Sequence, residues 1–149
     1  MAERWMRKAL ELAQAAALAG EVPVGAVVVQ GARIIGEGCN RREATHDPTA
    51  HAEIQAIRQA AQTLGDWRLS GCDLYVTLEP CAMCAGAIRN SRLQRLFFGA
   101  CDRKEGACGS VWMIPEAQTA GPNPPVQVYR GILEDECAAL LQVFFQRRR

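Results

Sequence analysis

The sequence predicts a single α/β domain, residues 1–149, built around a mixed sheet, and three observations carry that reading. Two β-rich runs joined by a Gly-containing turn read as an antiparallel hairpin. A later strand-helix-strand segment reads as a parallel βαβ unit, and amphipathic helical patterns stand at both ends of the chain. A length of 149 residues suits one hydrophobic core. Hydrophobic residues at 49% and charged residues at 22% match globular usage and exclude disordered, collagen-like and coiled-coil chains.

Residues 4–19 place Trp5, Ala9, Leu12, Ala13 and Ala16 on one face of a helix that stops at Gly20. Val24–Gln30 and Arg33–Cys39 are the hairpin strands, split at Gln30-Gly31-Ala32. A loop over residues 40–46 leads to Asp47, read as an N-cap with Pro48 at the first helical position, so that a second helix runs from Pro48 to Leu64. After Gly65-Asp66, the alternating segment Asp73–Glu79 is a strand that Pro80 ends. Cys81–Asn90 is a short helix and Arg95–Gly99 the next strand, the parallel pair of the sheet. Glycines 106, 109 and 121 with prolines 115, 122, 124 and 125 punctuate a long loop, a kind more often functional than idle. Val126–Arg130 fits an edge strand. Leu133, Cys137, Leu140, Leu141 and Phe144 stripe a last helix that ends on Arg147, Arg148 and Arg149.

Lys and Arg total 17 against 16 Asp and Glu, so no global basic field marks a non-specific polyanion binder. A local patch remains open: Arg89, Arg92, Arg95, Arg103 and Lys104 outnumber Asp102 and Glu105 in one stretch, which lines an RNA path or solvates a surface. The longest apolar run, Val22–Val29, is far short of the roughly 18 residues of a membrane span. Glu3, Glu11 and Gln14 interrupt any secretory or transit pattern, which implies a cytoplasmic protein. Seven cysteines, an odd set with one tight pair, fit reducing surroundings better than a disulfide framework.

The residues that carry chemistry are His51-Ala52-Glu53 and Pro80-Cys81-Ala82-Met83-Cys84. On a helix, Cys81 and Cys84 share a face, and the positive end of the helix favours thiolates. A neutral His51 completes a His/Cys/Cys set that suits Zn²⁺ and leaves the fourth tetrahedral position to water. Zinc makes that water acidic near neutral pH, and a carboxylate outside the ligand set is then needed to move protons, with Glu53 the candidate. Side by side on an ideal helix, His51 and Glu53 would diverge by about 200°, so the site must lie near the helix start. Two plainer readings stand beside this one: a C-x-x-C pair with only a structural role, and a closed Cys₂His₂ site that recruits His46. Alone, Asn40 reads as a turn residue and Asp102 as a turn cap.

These motifs resemble the zinc-dependent nucleobase deaminase signature, H-x-E followed by P-C-x-x-C, a pattern already described for such enzymes. Segments 22–26, 36–41, 46–54, 75–81 and 84–87 extend the likeness over nearly the whole chain, to the bacterial tRNA-specific adenosine deaminase family within the cytidine deaminase superfamily. The resemblance implies a three-layer α/β/α sandwich around a five-stranded mixed sheet, one Zn²⁺ per subunit, a homodimer, and deamination of the wobble adenosine of a tRNA anticodon stem-loop to inosine. It implies His51, Cys81 and Cys84 as metal ligands, Glu53 as the proton shuttle, Asn40 as a contact to the flipped-out base and Asp102 as a contact to the neighbouring ribose. Val24, Lys104 and Arg148 are further substrate contacts on the same basis. Cys101, Cys108 and Gln142-Val143 depart from the family pattern. A deaminase of free cytosine, guanine or a related base is the alternative on the same zinc chemistry.

Overall fold

The computed structural model describes residues 1–148, so Arg149 of the C-terminal arginine run lies outside the described residues. In chain order the elements are α1 (Ala2–Leu18), β1 (Gly25–Gln30), β2 (Arg33–Cys39), α2 (Arg42–Thr45), α3 (Ala52–Leu64), β3 (Cys72–Leu78), α4 (Ala82–Asn90), β4 (Arg95–Ala100), β5 (Gln127–Tyr129) and α5 (Glu134–Gln146). The five strands form one sheet in the order β2-β1-β3-β4-β5. Strand β1 runs antiparallel to β2 and β3, and β4 runs parallel to both β3 and β5, which is the mixed sheet that the hairpin and the βαβ signal predict.

Alternation along the central strands builds a core on each face. Ala26, Val28, Leu74, Val76, Leu96 and Phe98 point to one side, where Ala52, Ala56 and Ala60 of α3 and Ala85 and Ile88 of α4 cover them. Val27, Val29, Tyr75 and Phe97 point to the other, under Trp5, Met6, Ala9 and Leu10 of α1 and Cys137 of α5. The result is the expected three-layer sandwich. Helix α3 reaches the sheet because its neighbours on β2 have no side chains. A Cβ on Gly36 would lie 2.2 Å from the Ala56 carbonyl oxygen, and one on Gly38 would lie 2.3 Å from that of Ala52. This close approach sets the height of the first turn of α3, which carries His51 and Glu53.

Helix α3 starts later than the sequence predicts. It begins at Ala52, not Pro48, because Asp47 caps a local turn instead of a helix: its Oδ1 accepts from the Thr49 backbone N–H at 2.8 Å and from the Thr49 hydroxyl at 2.7 Å. The predicted loop before it contains the single-turn helix α2, whose N–H groups at Glu43 and Ala44 donate to the buried carboxylate of Glu21 at 3.0 and 2.7 Å. Strand β3 ends one residue early, at Leu78. Among the described residues, no helix is long and apolar enough to cross a membrane.

Candidate active site

Strand directions bring the candidate residues to one end of the sheet. Val24 precedes β1, Asn40 follows β2, Cys81 follows β3 and Asp102 follows β4. Because β1 runs against its neighbours, its start lies beside their ends, with Gly25 paired to Cys39 and Ala26 to Val76. The parallel strands β3 and β4 end together, with Leu78 opposite Ala100. These termini open onto a cleft of about 470 Å³ whose lining includes Val24, Asn40, His51, Glu53, Cys81 and Asp102. A crevice outside the strand ends is the usual place for a ligand in an open α/β sheet.

Two helix starts meet in this cleft. His51 is the residue before α3 and Cys81 the residue before α4, both in extended conformation, while Cys84 sits one turn into α4. The extended ψ of 156° at His51 takes it off the helical path, so the 200° separation from Glu53 does not apply. The ligand atoms of His51, Cys81 and Cys84 lie within 4.8 Å of one another. His51 Nδ1 is 3.7 Å from Cys81 Sγ and 3.5 Å from Cys84 Sγ. Tetrahedral zinc, with usual bonds to sulfur and nitrogen, separates such atoms by about 3.6 Å. The donor set and its spacing therefore fit that ion, with one coordination position left over. His46 is exposed at the end of α2 and is not part of the group, so the closed four-ligand arrangement is not formed.

Among the three side chains themselves, the two thiols divide sharply. The hydrogen bond from Cys84 holds the Cys81 thiol down to about 3, with His51 assisting. Donating that bond, together with burial, pushes Cys84 far above the thiol range. The same thiolate raises His51 against the opposing effect of burial. A dication displaces these shared protons, since ligation requires thiolates and a neutral imidazole.

Glu53 stands behind this group, 4% exposed and outside the ligand set. Burial is the main cause that lifts its carboxyl to about 7. A buried acid with such a value exchanges a proton near neutral pH. Linkage gives the sign of its effect on stability: between about pH 4.5 and 7 the folded metal-free protein keeps a proton that the unfolded chain has released, so stability falls as pH rises. Glu53→Gln should thus match the parent in Tm near pH 5 and exceed it near pH 8 in thermal melts with chelator. A difference that does not grow with pH would assign the Glu53 carboxyl an ordinary titration.

Asn40 is 7% exposed, and its Oδ1 accepts from the Arg42 backbone N–H at 3.2 Å, which leaves the Nδ2 N–H groups as its remaining donors. Asp102 lines the cleft and also caps a turn, its Oδ1 accepting from the backbone N–H groups of Lys104 at 3.0 Å and Glu105 at 3.1 Å. The turn-cap reading of Asp102 is thus part of its role in the structure. Lys104 is exposed beside the cleft and outside its lining. Arg148 lies apart, donating to the Gly20 carbonyl at 2.8 Å and stacking 4.5 Å from the Phe144 ring centroid.

A family profile described as MafB19-like deaminase matches residues 1–149. A protein from Haemophilus influenzae named tRNA-specific adenosine deaminase is 52% identical over 148 residues, spanning 99% of this chain and 84% of its own length. The chain belongs to the tRNA-specific adenosine deaminase family. A second member, from Bacillus subtilis, is 43% identical over 147 residues, 99% of this chain and 90% of its own. A solved structure from a study of A-to-I editing by tRNA:A34 deaminases superposes with a TM-score of 0.86 at 46% identity, over 93% of this chain and 99% of that one. A guanine deaminase from Nitrosomonas europaea shares the fold at a TM-score of 0.78 and 30% identity, over 95% of this chain and 83% of that one.

Within this family member, Arg42 and Glu79 are among the cleft residues that sequence reasoning missed. Arg42 lines the cleft beside Asn40 and is the one Lys or Arg among the described residues to do so. Its signal was faint, because it sits in a polar segment with no motif of its own. Glu79 also lines the cleft and is buried. Burial raises its carboxyl, but hydrogen bonds from Ser110, Asp102 and Cys108 outweigh burial and hold it below the usual carboxylate range. An acid closing an apolar strand was its visible signal, since buried carboxylates are rare unless partnered. Two cations of the basic stretch are engaged within the fold. Arg95 is held by Asp73 at 2.6 and 3.0 Å, and Arg89 donates to the carbonyls of Ile114, Pro115 and Ala117, so both cations serve the fold.

Proposed function

We propose that this protein deaminates adenosine to inosine at the wobble position of a tRNA anticodon, with water as co-substrate and ammonia as product. The observation that carries the reading is the convergence of His51, Cys81 and Cys84 beside a buried, non-ligating Glu53 in an open cleft, in a chain 52% identical to a protein named for that substrate. His51 Nδ1 and the sulfurs of Cys81 and Cys84 would hold one Zn²⁺. When bound, zinc acidifies a water molecule so that a nucleophile is available near neutral pH. Glu53 would accept a proton from the attacking water and deliver it to N1 as the water oxygen bonds to C6. It would then carry the proton of the resulting C6 hydroxyl to the exocyclic amine as the C6–N bond breaks, so that ammonia leaves and the carboxylate is regenerated. Its burial disfavours the charged form and a bound dication would favour it, opposing effects that suit a group which must take a proton and then give it. Asn40 offers its side-chain N–H groups to the base, Val24 contributes an apolar wall, and Asp102 borders the ribose side. A base can enter this cleft only when extruded from its stack, as single-stranded anticodon loops permit.

The same reading takes residues 1–149 as one catalytic domain of a cytoplasmic enzyme. Its partner is a second copy, and the exposed Val111 and Trp112 supply apolar surface of the kind a copy covers. Lys104 and Arg148 are assigned to the RNA outside the cleft, where phosphates rather than the base would meet them.

The deciding assay offers the zinc-loaded protein an anticodon stem-loop with adenosine at the wobble position, beside free adenosine, cytidine and guanine. Inosine should form in the RNA alone, with conversion weakening as salt rises. Turnover of a free base or nucleoside alone would keep the zinc chemistry and replace the substrate.

A further inference from the structure

We propose that Glu79 is a positioning residue for substrate: it clamps the loop over residues 102–110 against the junction of β3 and α4 and so sets one wall of the cleft. The inference deepens the proposed function and rests on it. Glu79 is 2% exposed and lies between the last residue of β3 and the metal-binding Pro80-Cys81 corner. Its own N–H donates to the Ala100 carbonyl at 2.8 Å, which fixes its backbone to the end of β4. Its carboxylate then gathers the loop. Oε1 accepts from the Asp102 backbone N–H at 3.0 Å and from the Ser110 hydroxyl. Oε2 accepts from the backbone N–H groups of Cys108 and Ser110, each at 3.0 Å.

The loop is shaped to allow this. A Cβ on Gly106 would stand 2.4 Å from the Glu79 carboxyl carbon and 2.5 Å from Oε2, so a side chain there would push the clamp open. Ala107 N–H donates to the Pro80 carbonyl at 2.8 Å and lays the middle of the loop on the same corner. Two residues of the loop, Asp102 and Glu105, line the cleft, and neither belongs to the His51, Cys81 and Cys84 group. Loosening the clamp should therefore move a substrate wall and spare the metal.

Glu79→Gln makes a specific claim testable. The amide has one acceptor oxygen, while the site presents three backbone N–H donors and one hydroxyl that can turn to accept. The arrangement that satisfies most of them keeps oxygen toward Cys108 and Ser110, places the NH₂ toward Ser110 Oγ, and leaves the Asp102 N–H unpaired. The variant should show faster amide exchange at Asp102 with Cys108 and Ser110 still protected, unchanged zinc content, a kcat within about threefold of the parent, and a KM for the stem-loop raised about tenfold. Ser110→Ala, which keeps the carboxylate, should shift KM in the same direction by a smaller factor, and it decides the matter should the glutamine variant fail to fold.

An unchanged KM in the folded variant would overturn the proposal, as would loss of zinc or of kcat at constant KM, which would make Glu79 a support of the metal helix. The parent's own conversion of the stem-loop controls the functional reading. If the parent converts a free base instead, that reading falls, and the same KM comparison on that base still decides the role of Glu79.

Discussion

Glu53→Ala should leave zinc bound and lower kcat by about two to four orders of magnitude, the scale of a general acid-base group removed from its site. Metal content by atomic absorption and inosine formation under saturating RNA are the two readouts. The expectation follows from position: the carboxyl lies beside the cluster of His51, Cys81 and Cys84 without being one of the converging ligands. It is also buried deeply enough that water is a poor substitute for it. Glu53→Gln sharpens the point, because it keeps the volume of the side chain and removes only its capacity to exchange a proton. Both variants should lose kcat with little change in KM, the pattern of an interaction made in the transition state. Loss of zinc from Glu53→Ala would instead make the carboxyl a ligand or a fold element, and the proton-shuttle role would pass elsewhere.

The sheet was legible because its signals are local. Strands β1 and β2 follow from a β-rich run broken at Gly31, and β3 and β4 from alternating apolar segments bounded by Gly71 and Pro80. Boundaries failed where a side chain chose a distant or non-helical partner. Asp47 looks like a helix cap from sequence, yet its carboxylate serves Thr49, and the helix waits until His51. The single turn of α2 has no apolar face to betray it, and its support comes from Glu21, far back in the chain.

The cluster of His51, Cys81 and Cys84 and the neighbouring Glu53 were legible for a chemical reason: few spacings put an imidazole, two thiols and a carboxylate within reach, so the motif itself carries the information. Asn40 and Asp102 depended on the family resemblance, because a turn residue and a cleft residue look alike in sequence. Glu79 and Arg42 were not found because their roles arise from three-dimensional neighbours. Glu79 matters through amides at positions 102, 108 and 110, and backbone donors leave no trace in residue type. The basic stretch misled for the complementary reason, since nothing in the sequence shows that Asp73 and the carbonyls of the 114–117 segment already hold Arg95 and Arg89.

Cys84→Ser should strip the metal and abolish turnover together, the opposite pairing to Glu53→Ala. The Cys84 side chain is fully buried one turn into α4, and its sulfur stands 3.5 Å from His51 Nδ1. A serine oxygen there is a harder ligand on a shorter bond, and its hydroxyl resists the deprotonation that zinc requires of a ligand. The loss should also be visible in stability. Metal bound to the folded state at about a thousand times its Kd adds about 4 kcal/mol. For a chain of this size that corresponds to a Tm change of about 10 °C. Chelator should therefore lower the Tm of the parent by about that amount and leave Cys84→Ser unmoved. A serine variant that keeps its zinc and its chelator response would remove Cys84 from the site, and with it the three-ligand geometry that leaves a position open for chemistry.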